Sequence, residues 1–104
     1  MIRGTTPTFI FELPFDCSEL TVCSVAFAQG GKVLVEKVLT ECEKSGNTLT
    51  VTLSEEETLL FDCTKKTAEI QIRGGCGKKR LASDILVVGV GRILKDGCLI
   101  DDET

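Results

Sequence analysis

The residues of this sequence with side chains suited to catalysis are carboxylates, thiols and amines, because the chain contains no histidine. Histidine is the side chain that titrates near neutral pH, so Ser-His-Asp and Cys-His sites are excluded. Three glutamates, Glu55 to Glu57, follow Ser54, but adjacent residues on a turn point in different directions, unlike two carboxylates facing across a cleft. Glu57 lies three places after Ser54, which is the spacing of a capping box. We therefore interpret this acidic stretch as the start of a helical turn and expect no enzymatic activity.

The stretch GGCGKKR, residues 74 to 80, invites comparison with a phosphate-binding loop. The pattern G-x-x-x-x-G-K-[ST] requires glycine at position 72 and serine or threonine at position 79, where this chain has Ile72 and Lys79. A basic, glycine-rich loop between two strands remains able to contact an anion or an acidic protein surface through Lys78, Lys79 and Arg80. Cys76 is expected to be the exposed cysteine, and the neighbouring cations would favour its thiolate.

Six cysteines are many for 104 residues: Cys17, Cys23, Cys42, Cys63, Cys76 and Cys98. Their spacing is wide and irregular, without a Cys-x-x-Cys pair, so a zinc site would need four thiolates brought together by the fold. An even number of cysteines would indicate disulfides if the context were secretory. Reduced, mostly buried thiols are the favoured interpretation, since free cysteine behaves as a small core residue. No metal and no cofactor are predicted, and disulfides stay an alternative.

The formal net charge of −4 and the pI of about 4.8 argue against a nucleic-acid partner, which requires clustered Lys and Arg. No basic region followed by an apolar run opens the sequence, so a secretory signal is not expected. The apolar stretches are shorter than the roughly 20 residues that span a bilayer, so no membrane partner is expected. We expect synthesis in the cytoplasm.

Alternation of apolar and polar residues is the main structural signal in the chain. It predicts strands with aliphatic and phenylalanine faces, such as Cys23, Val25 and Phe27, and hairpin turns at Gly30-Gly31 and at residues 44 to 47. We predict one domain over residues 1–104, an all-β immunoglobulin-like antiparallel β-sandwich of about seven strands; a small Greek-key barrel is the competing topology. The predicted strands cover 8–13, 20–29, 32–41, 48–53, 67–73 and 81–94, with a short helical turn near 54–60 and an extended C-terminal segment over 95–104.

Two segments have more apolar residues than an edge strand that is protected against pairing with another chain requires. They are VLVEKVL at 33–39 and RILKDGCLI at 92–100. Such edges recruit another chain by strand addition. Protein is therefore the expected class of partner, in a homo-oligomer or with other structural proteins, although burial within the monomer is an alternative for both segments. Together with the basic loop Lys78, Lys79 and Arg80, the predicted interaction residues are Val33, Val35, Arg92, Ile93, Leu94, Leu99 and Ile100.

Three pieces of the sequence carry a family resemblance: MIRGTTPTFIFELPFD at 1–16, GNTLTVTLSEEETLLF at 46–61, and AEIQIR with LASDILVVGVGRIL at 68–73 and 81–94. Together they resemble small structural proteins encoded by phages and prophages of Gram-positive bacteria. The last two are also similar to the N-terminal immunoglobulin-like domain of phage baseplate upper proteins. The resemblance implies a non-enzymatic virion protein, associated with the tail or baseplate, that assembles with copies of itself or with neighbouring virion proteins. It does not imply the adaptor function of the larger baseplate proteins.

Two hypotheses from other classes stand beside this one. The first is a small regulatory or ligand-binding protein that holds an anionic group with the loop at 74–80. The second is a metal or redox protein that uses the thiols.

Overall fold

The chain forms two antiparallel sheets with one short α-helix, and the computed structural model describes residues 1–95 and 97–99. The predicted all-β sandwich is confirmed. Three short 3-10 turns lie at Cys17–Glu19, Leu39–Glu41 and Cys63–Lys65. The strands are β1 (Thr8–Glu12), β2 (Val22–Gln29), β3 (Lys32–Val38), β4 (Glu43–Ser45), β5 (Thr48–Thr52), β6 (Thr67–Cys76), β7 (Lys79–Ala82) and β8 (Leu86–Gly89), and the helix is α1 (Glu55–Thr58).

The strand order within the two sheets is that of an immunoglobulin-like sandwich. The small sheet has the order β1-β5-β4, and the large sheet has the order β3-β2-β6-β7, with β8 also pairing with β6. These orders correspond to strands B-E-D and C′-C-F-G of that fold. Strand A would lie beside β1, where no described strand pairs. The N-terminal residues instead make a parallel bridge between Ile2 and Gly91, beyond the end of β8.

Alternation along β2 and β5 builds the core as predicted. Cys23, Val25 and Phe27 point inward from the large sheet, and Leu49 and Val51 face them from the small sheet. The predicted hairpin between β2 and β3 is confirmed, because Gly30 and Gly31 have φ of +56° and +80°, values that residues with a Cβ rarely adopt.

The edge strand β3 departs from the prediction because it contains a β-bulge. Phe27 pairs with Val35 while its neighbour Ala28 pairs with Val33, so Leu34 is an extra residue. Val33 and Val35 therefore lie on opposite faces of the sheet: Val33 is 56% exposed and Val35 is 6% exposed. Val35 belongs to the core and is not available to a partner, which corrects its assignment as an interaction residue.

The segment GGCGKKR is a hairpin within the large sheet rather than a loop. Strand β6 runs on to Cys76, and the turn occupies only Gly77 and Lys78 before β7 begins at Lys79. The predicted loop was wrong because Gly74 and Gly75 pair in register with β7.

The predicted strand over 81–94 is interrupted near Ser83, which separates β7 from β8. Ala82 pairs with Arg73, and Leu86 pairs with Ile70. The chain between β7 and β8 therefore contains one residue more than the part of β6 that it faces. Ser83 causes the interruption: its backbone N–H donates to the Ile72 carbonyl at 2.8 Å, and its hydroxyl accepts from the Ile72 N–H at 3.0 Å. The strand then ends at Gly89 instead of continuing to Leu94.

The acidic turn is the predicted capped helix. The Ser54 hydroxyl accepts from the Glu57 N–H at 3.1 Å, and Glu57 Oε1 accepts from the Ser54 N–H at 2.8 Å. Helix α1 carries the chain from the small to the large sheet. Of the apolar residues that follow it, Phe61 is buried and Leu59 half-buried, whereas Leu60 is 58% exposed.

Helix α1 also fixes the N-terminal segment. The buried Thr58 hydroxyl donates to the Thr5 carbonyl at 2.9 Å and accepts from the Gly4 N–H at 3.0 Å. Lys37 Nζ lies 2.9 Å from Glu57 Oε1. Burial favours the neutral form of Glu57, but the hydrogen bonds and charge of Lys37, with the Ser54 cap, outweigh it and lower the pKa of Glu57.

Candidate protein-interaction surface

The perturbed aspartates of the described residues are explained by local turns. Asp16 Oδ1 accepts from the Ser18 N–H at 2.9 Å, and the pKa of Asp16 is lowered by this bond. Asp62 accepts from both the hydroxyl and the N–H of Thr64, which lower the pKa of Asp62. Both carboxylates are exposed and cap 3-10 turns, so their shifts indicate a structural role rather than general acid-base chemistry.

All six thiols are free. Where the pKa of a thiol is shifted it is raised, which favours the protonated form. Burial raises the pKa of Cys23 to about 11, with smaller contributions from Cys42 and Cys17. Cys76 is half-buried and Cys98 is the exposed cysteine, which reverses the expectation, because Cys76 lies within β6. Only Cys17 and Cys23 are buried, and Cys42 and Cys63 are half-buried like Cys76. The prediction of buried thiols that act as packing residues is therefore confirmed for Cys17 and Cys23 alone.

Cys98 belongs to a surface cluster with two glutamates of α1. Its sulfur and one carboxylate oxygen each of Glu55 and Glu56 lie within 4.8 Å of one another. Desolvation and then these two carboxylates raise the pKa of Cys98, which disfavours the thiolate that a metal requires. Glu55 Oε2 also accepts from the Leu99 N–H at 2.8 Å, so the cluster attaches the C-terminal segment to α1.

The C-terminal residues predicted to contact a partner differ in exposure. Leu94 is 97% exposed, Leu99 and Arg92 are exposed, and Ile93 is half-buried. Ile100 lies outside the described residues. These side chains do not form a common patch with Val33, which lies on the opposite edge of the large sheet.

The basic hairpin is exposed but engaged with its own turn. Arg80 Nη1 donates to the Gly77 carbonyl at 2.7 Å and to the Lys79 carbonyl at 3.3 Å. Arg80 and Arg73 flank a hollow of about 360 Å³, whereas Lys78 and Lys79 do not line it. The three predicted cations therefore do not converge on one space.

The outward side of the large sheet, which we name the outer face, carries exposed aliphatic residues together with small, polar and charged ones. A hollow of about 140 Å³ on this face lies over Ala26 and Ala28, beside Val33 and Ile85. The outer face comprises Val22, Ser24, Ala26 and Ala28 of β2, Val33, Glu36 and Val38 of β3, Glu69, Gln71 and Arg73 of β6, Arg80 and Ala82 of β7, Val87 of β8 and the adjoining Ile85.

Two members of the outer face, Val33 and Arg80, were predicted from the sequence as interaction residues. Others also had a signal in the sequence, since Val22, Ala26 and Ala28 occupy the solvent-facing positions of β2, where an isolated sandwich usually has polar residues. The lack of charge at these positions was the indication that this face is not simply solvated.

Comparison of the sequence with protein-family models finds no match, and comparison with curated proteins finds no relative. In the part of the chain that the structure describes, no helix has the length and apolar character needed to cross a membrane.

Proposed function

We propose that this chain is a non-enzymatic structural protein of a phage or prophage particle, associated with the tail or baseplate, whose copies associate through the outer face. One observation carries the proposal: the outer face combines small alanines and exposed aliphatic residues with Glu69 and Arg73, which lie two residues to either side of Gln71 on β6. On this proposal the protein is made in the bacterial cytoplasm and carried in the virion.

The composition of the outer face suits close packing against another protein surface. Ala26, Ala28 and Ala82 leave the sheet backbone accessible to a neighbouring sheet, and Val22, Val33, Ile85 and Val87 are all at least half exposed. A contiguous apolar patch on a monomer marks an interaction site more often than single exposed aliphatic residues do. Sheets that pack face to face exclude water between such side chains.

The charges of the outer face favour a second copy as the partner. Glu69 and Arg73 lie two residues to either side of Gln71 on β6, at about 7 Å from it. A twofold axis that crosses the strands at Gln71, between two face-to-face copies, places Glu69 of one copy opposite Arg73 of the other. The same axis forms the reciprocal pair. An isologous interface requires this self-complementarity.

Exchange of these charges tests the association. Glu69→Arg and Arg73→Glu each place like charges opposite one another twice in a dimer, so each is expected to raise the dimer Kd by roughly 10- to 100-fold. The double variant Glu69→Arg/Arg73→Glu restores both pairs and is expected to return the Kd to near the wild-type value. Sedimentation at several protein concentrations measures these constants.

The matched control is Glu43→Arg, which changes an exposed charge on the edge strand β4 of the small sheet. It is expected to leave the Kd within a few-fold of the wild type. Equal effects of Glu43→Arg and Arg73→Glu, or a double variant as weak as the single ones, would contradict the proposed interface.

The virion assignment is supported by the resemblance of the three sequence pieces, and gene context tests it. We expect tail, baseplate or portal genes beside the gene for this chain. A metabolic operon at that place would oppose the assignment.

The anion-binding alternative has weaker support. Arg73 and Arg80 are the only cations beside the hollow of about 360 Å³ among the described residues, and Arg80 already donates to two carbonyls of its own turn. The apolar character of the outer face is therefore the better guide to function.

A further inference from the structure

We propose that the chain accepts an extended segment of a neighbouring protein as an additional strand beside β1, and that this segment carries lysine or arginine. The receiving surface is a groove of about 430 Å³, which we name the side groove, between β1 and the interruption that separates β7 from β8. The inference rests on the proposed role as an interaction module but concerns a different surface from the outer face.

The four sheet edges differ in how they are protected against strand addition. Strand β4 has only three residues, all exposed and none of them apolar, and β3 contains the bulge at Leu34 together with Lys32. Short polar strands, bulges and lysines are the devices that guard an edge. Strand β1 has five residues, no bulge and no lysine; Glu12 is its one charged residue, and its Ile10 side chain is 70% exposed.

The register of β1 shows which backbone groups are available. The Leu13 N–H donates to the Asn47 carbonyl at 2.8 Å, and the Leu53 N–H donates to the Pro7 carbonyl at 3.1 Å. In an antiparallel pair such bonds recur at every second residue, so Phe9 and Phe11 also direct their backbone groups to β5. The N–H and C=O groups of Thr8, Ile10 and Glu12 therefore point away from β5, toward the side groove.

The other wall of the side groove is only partly covered by the N-terminal segment. The Met1 amino group donates to the Gly89 carbonyl at 2.7 Å, and the Gly91 N–H donates to the Met1 carbonyl at 2.7 Å. The Val90 N–H donates to the Lys66 carbonyl, so Val90 directs its backbone groups toward β6. Because this direction alternates from residue to residue along β8, the backbone groups of Val87 point away from β6. The N-terminal segment thus occupies the edge at 89–91 and leaves Val87 and the interruption at 83–85 open.

The lining of the side groove is suited to the alternating side chains of a strand. Phe11, Leu13 and Ile72 supply apolar surface that is continuous with the core, and the exposed Leu86 adds an aliphatic side chain. In an added strand, every second side chain points toward this surface while the backbone pairs with Thr8, Ile10 and Glu12. The site also coincides with the position of strand A in the immunoglobulin-like fold, which no described strand of this chain occupies.

The charge of the side groove indicates which kind of segment binds there. Among the described residues, its lining includes two carboxylates, Glu12 and Asp84, and no basic side chain. A segment with lysine or arginine at its ends complements these carboxylates, whereas the acidic C-terminal sequence of a second copy, DDET at 101–104, would be repelled. The favoured partner is therefore a different chain of the same assembly.

A synthetic peptide tests the proposal directly. The probe has nine residues, with valine at alternate positions, threonine between them and a lysine at each end; the matched probe has glutamate at both ends. Titration of the full chain, followed by NMR, is expected to shift the amide signals of Thr8, Ile10 and Glu12 with the lysine peptide. The glutamate peptide is expected to bind at least about tenfold more weakly. Binding of neither peptide, or shifts confined to β3 and β4, would overturn the proposal.

Two protein variants locate the contact. Ile10→Pro removes an outward N–H without removing a bond to β5, and is expected to weaken peptide binding about tenfold or more, whereas Ile10→Thr keeps the N–H and is expected to change it less than about threefold. If Ile10→Pro does not fold, the double variant Glu12→Lys/Asp84→Lys replaces it and is expected to reverse the preference between the two peptides. An unchanged preference would contradict the proposal.

Failure of this inference is distinguishable from failure of the proposed function. Arg73→Glu lies on the outer face and is expected to weaken the dimer while leaving peptide binding unchanged. If the charge exchange behaves as expected and no peptide binds, the side groove alone is disproved. If peptides bind and no dimer forms, the side groove stands and the outer face is disproved.

Discussion

Replacing Phe27 with alanine is expected to lower the free energy of unfolding by about 4 kcal/mol. The side chain is fully buried, and its ring centroid lies 5.4 Å from that of Phe9 and 6.5 Å from that of Phe61. These three rings join β2, β1 and the segment after α1, so the cavity left by alanine lies between both sheets. Urea unfolding followed by circular dichroism measures the loss.

The size of this effect follows from the burial of the ring and from its two aromatic neighbours. The chain has five phenylalanines and no other aromatic residue, and alanine at position 27 removes the ring that packs beside both Phe9 and Phe61. A loss of about 4 kcal/mol is a large part of the roughly 5–15 kcal/mol that stabilises a domain. The control is Ile10→Ala, which removes an exposed side chain and is expected to cost less than about 0.5 kcal/mol. Similar losses for the two variants would contradict the description of the core.

Replacing Gln29 with leucine is expected to cost about 3 kcal/mol, although the two side chains are similar in size. The Gln29 amide is buried at the end of β2 and makes three bonds to backbone groups: its Nε2 donates to the Asp62 carbonyl at 2.9 Å and to the Thr67 carbonyl at 3.1 Å, and its Oε1 accepts from the Asp62 N–H at 2.6 Å. Leucine satisfies none of these groups, and each buried unsatisfied group costs about 1–3 kcal/mol.

The control for Gln29→Leu is Gln71→Leu. Gln71 is half-buried and donates one bond, to the Ser83 carbonyl at 3.1 Å, so its replacement is expected to cost about 1 kcal/mol. Hydrogen exchange adds a local measurement: Gln29→Leu is expected to accelerate exchange at Thr67 and Ala68, which begin β6, more than at Thr50 in the small sheet. Uniform acceleration across both sheets would show that Gln29 does not specifically hold the connection before β6.

The parts of the fold that local sequence patterns determine were predicted from the sequence. Alternation placed Val25 and Phe27 in the core, and the capping box of Ser54 and Glu57 placed α1. The bulge at Leu34 was not predictable in this way, because it is set by pairing with β2. Strand β4 was missed because its three residues are all exposed and have no alternation.

The candidate surfaces were less predictable for the same reason. Glu69 and Arg73 become partners only through the symmetry of two sheets, and Ser83 interrupts its strand through bonds to the distant Ile72. Apolar segments alone directed attention to Val35, which is buried, and to the C-terminal residues, of which Leu94 and Leu99 are exposed and Ile93 is half-buried. The uncharged outward positions of β2 were the sequence signal closest to the surface proposed here.

The mass of the purified protein in solution tests the central claim most directly. Sedimentation equilibrium of the wild-type chain at micromolar concentration is predicted to give twice the chain mass of 11.2 kDa, with Arg73→Glu shifted toward a single chain. A wild-type mass of 11.2 kDa over the whole concentration range would contradict association through the outer face.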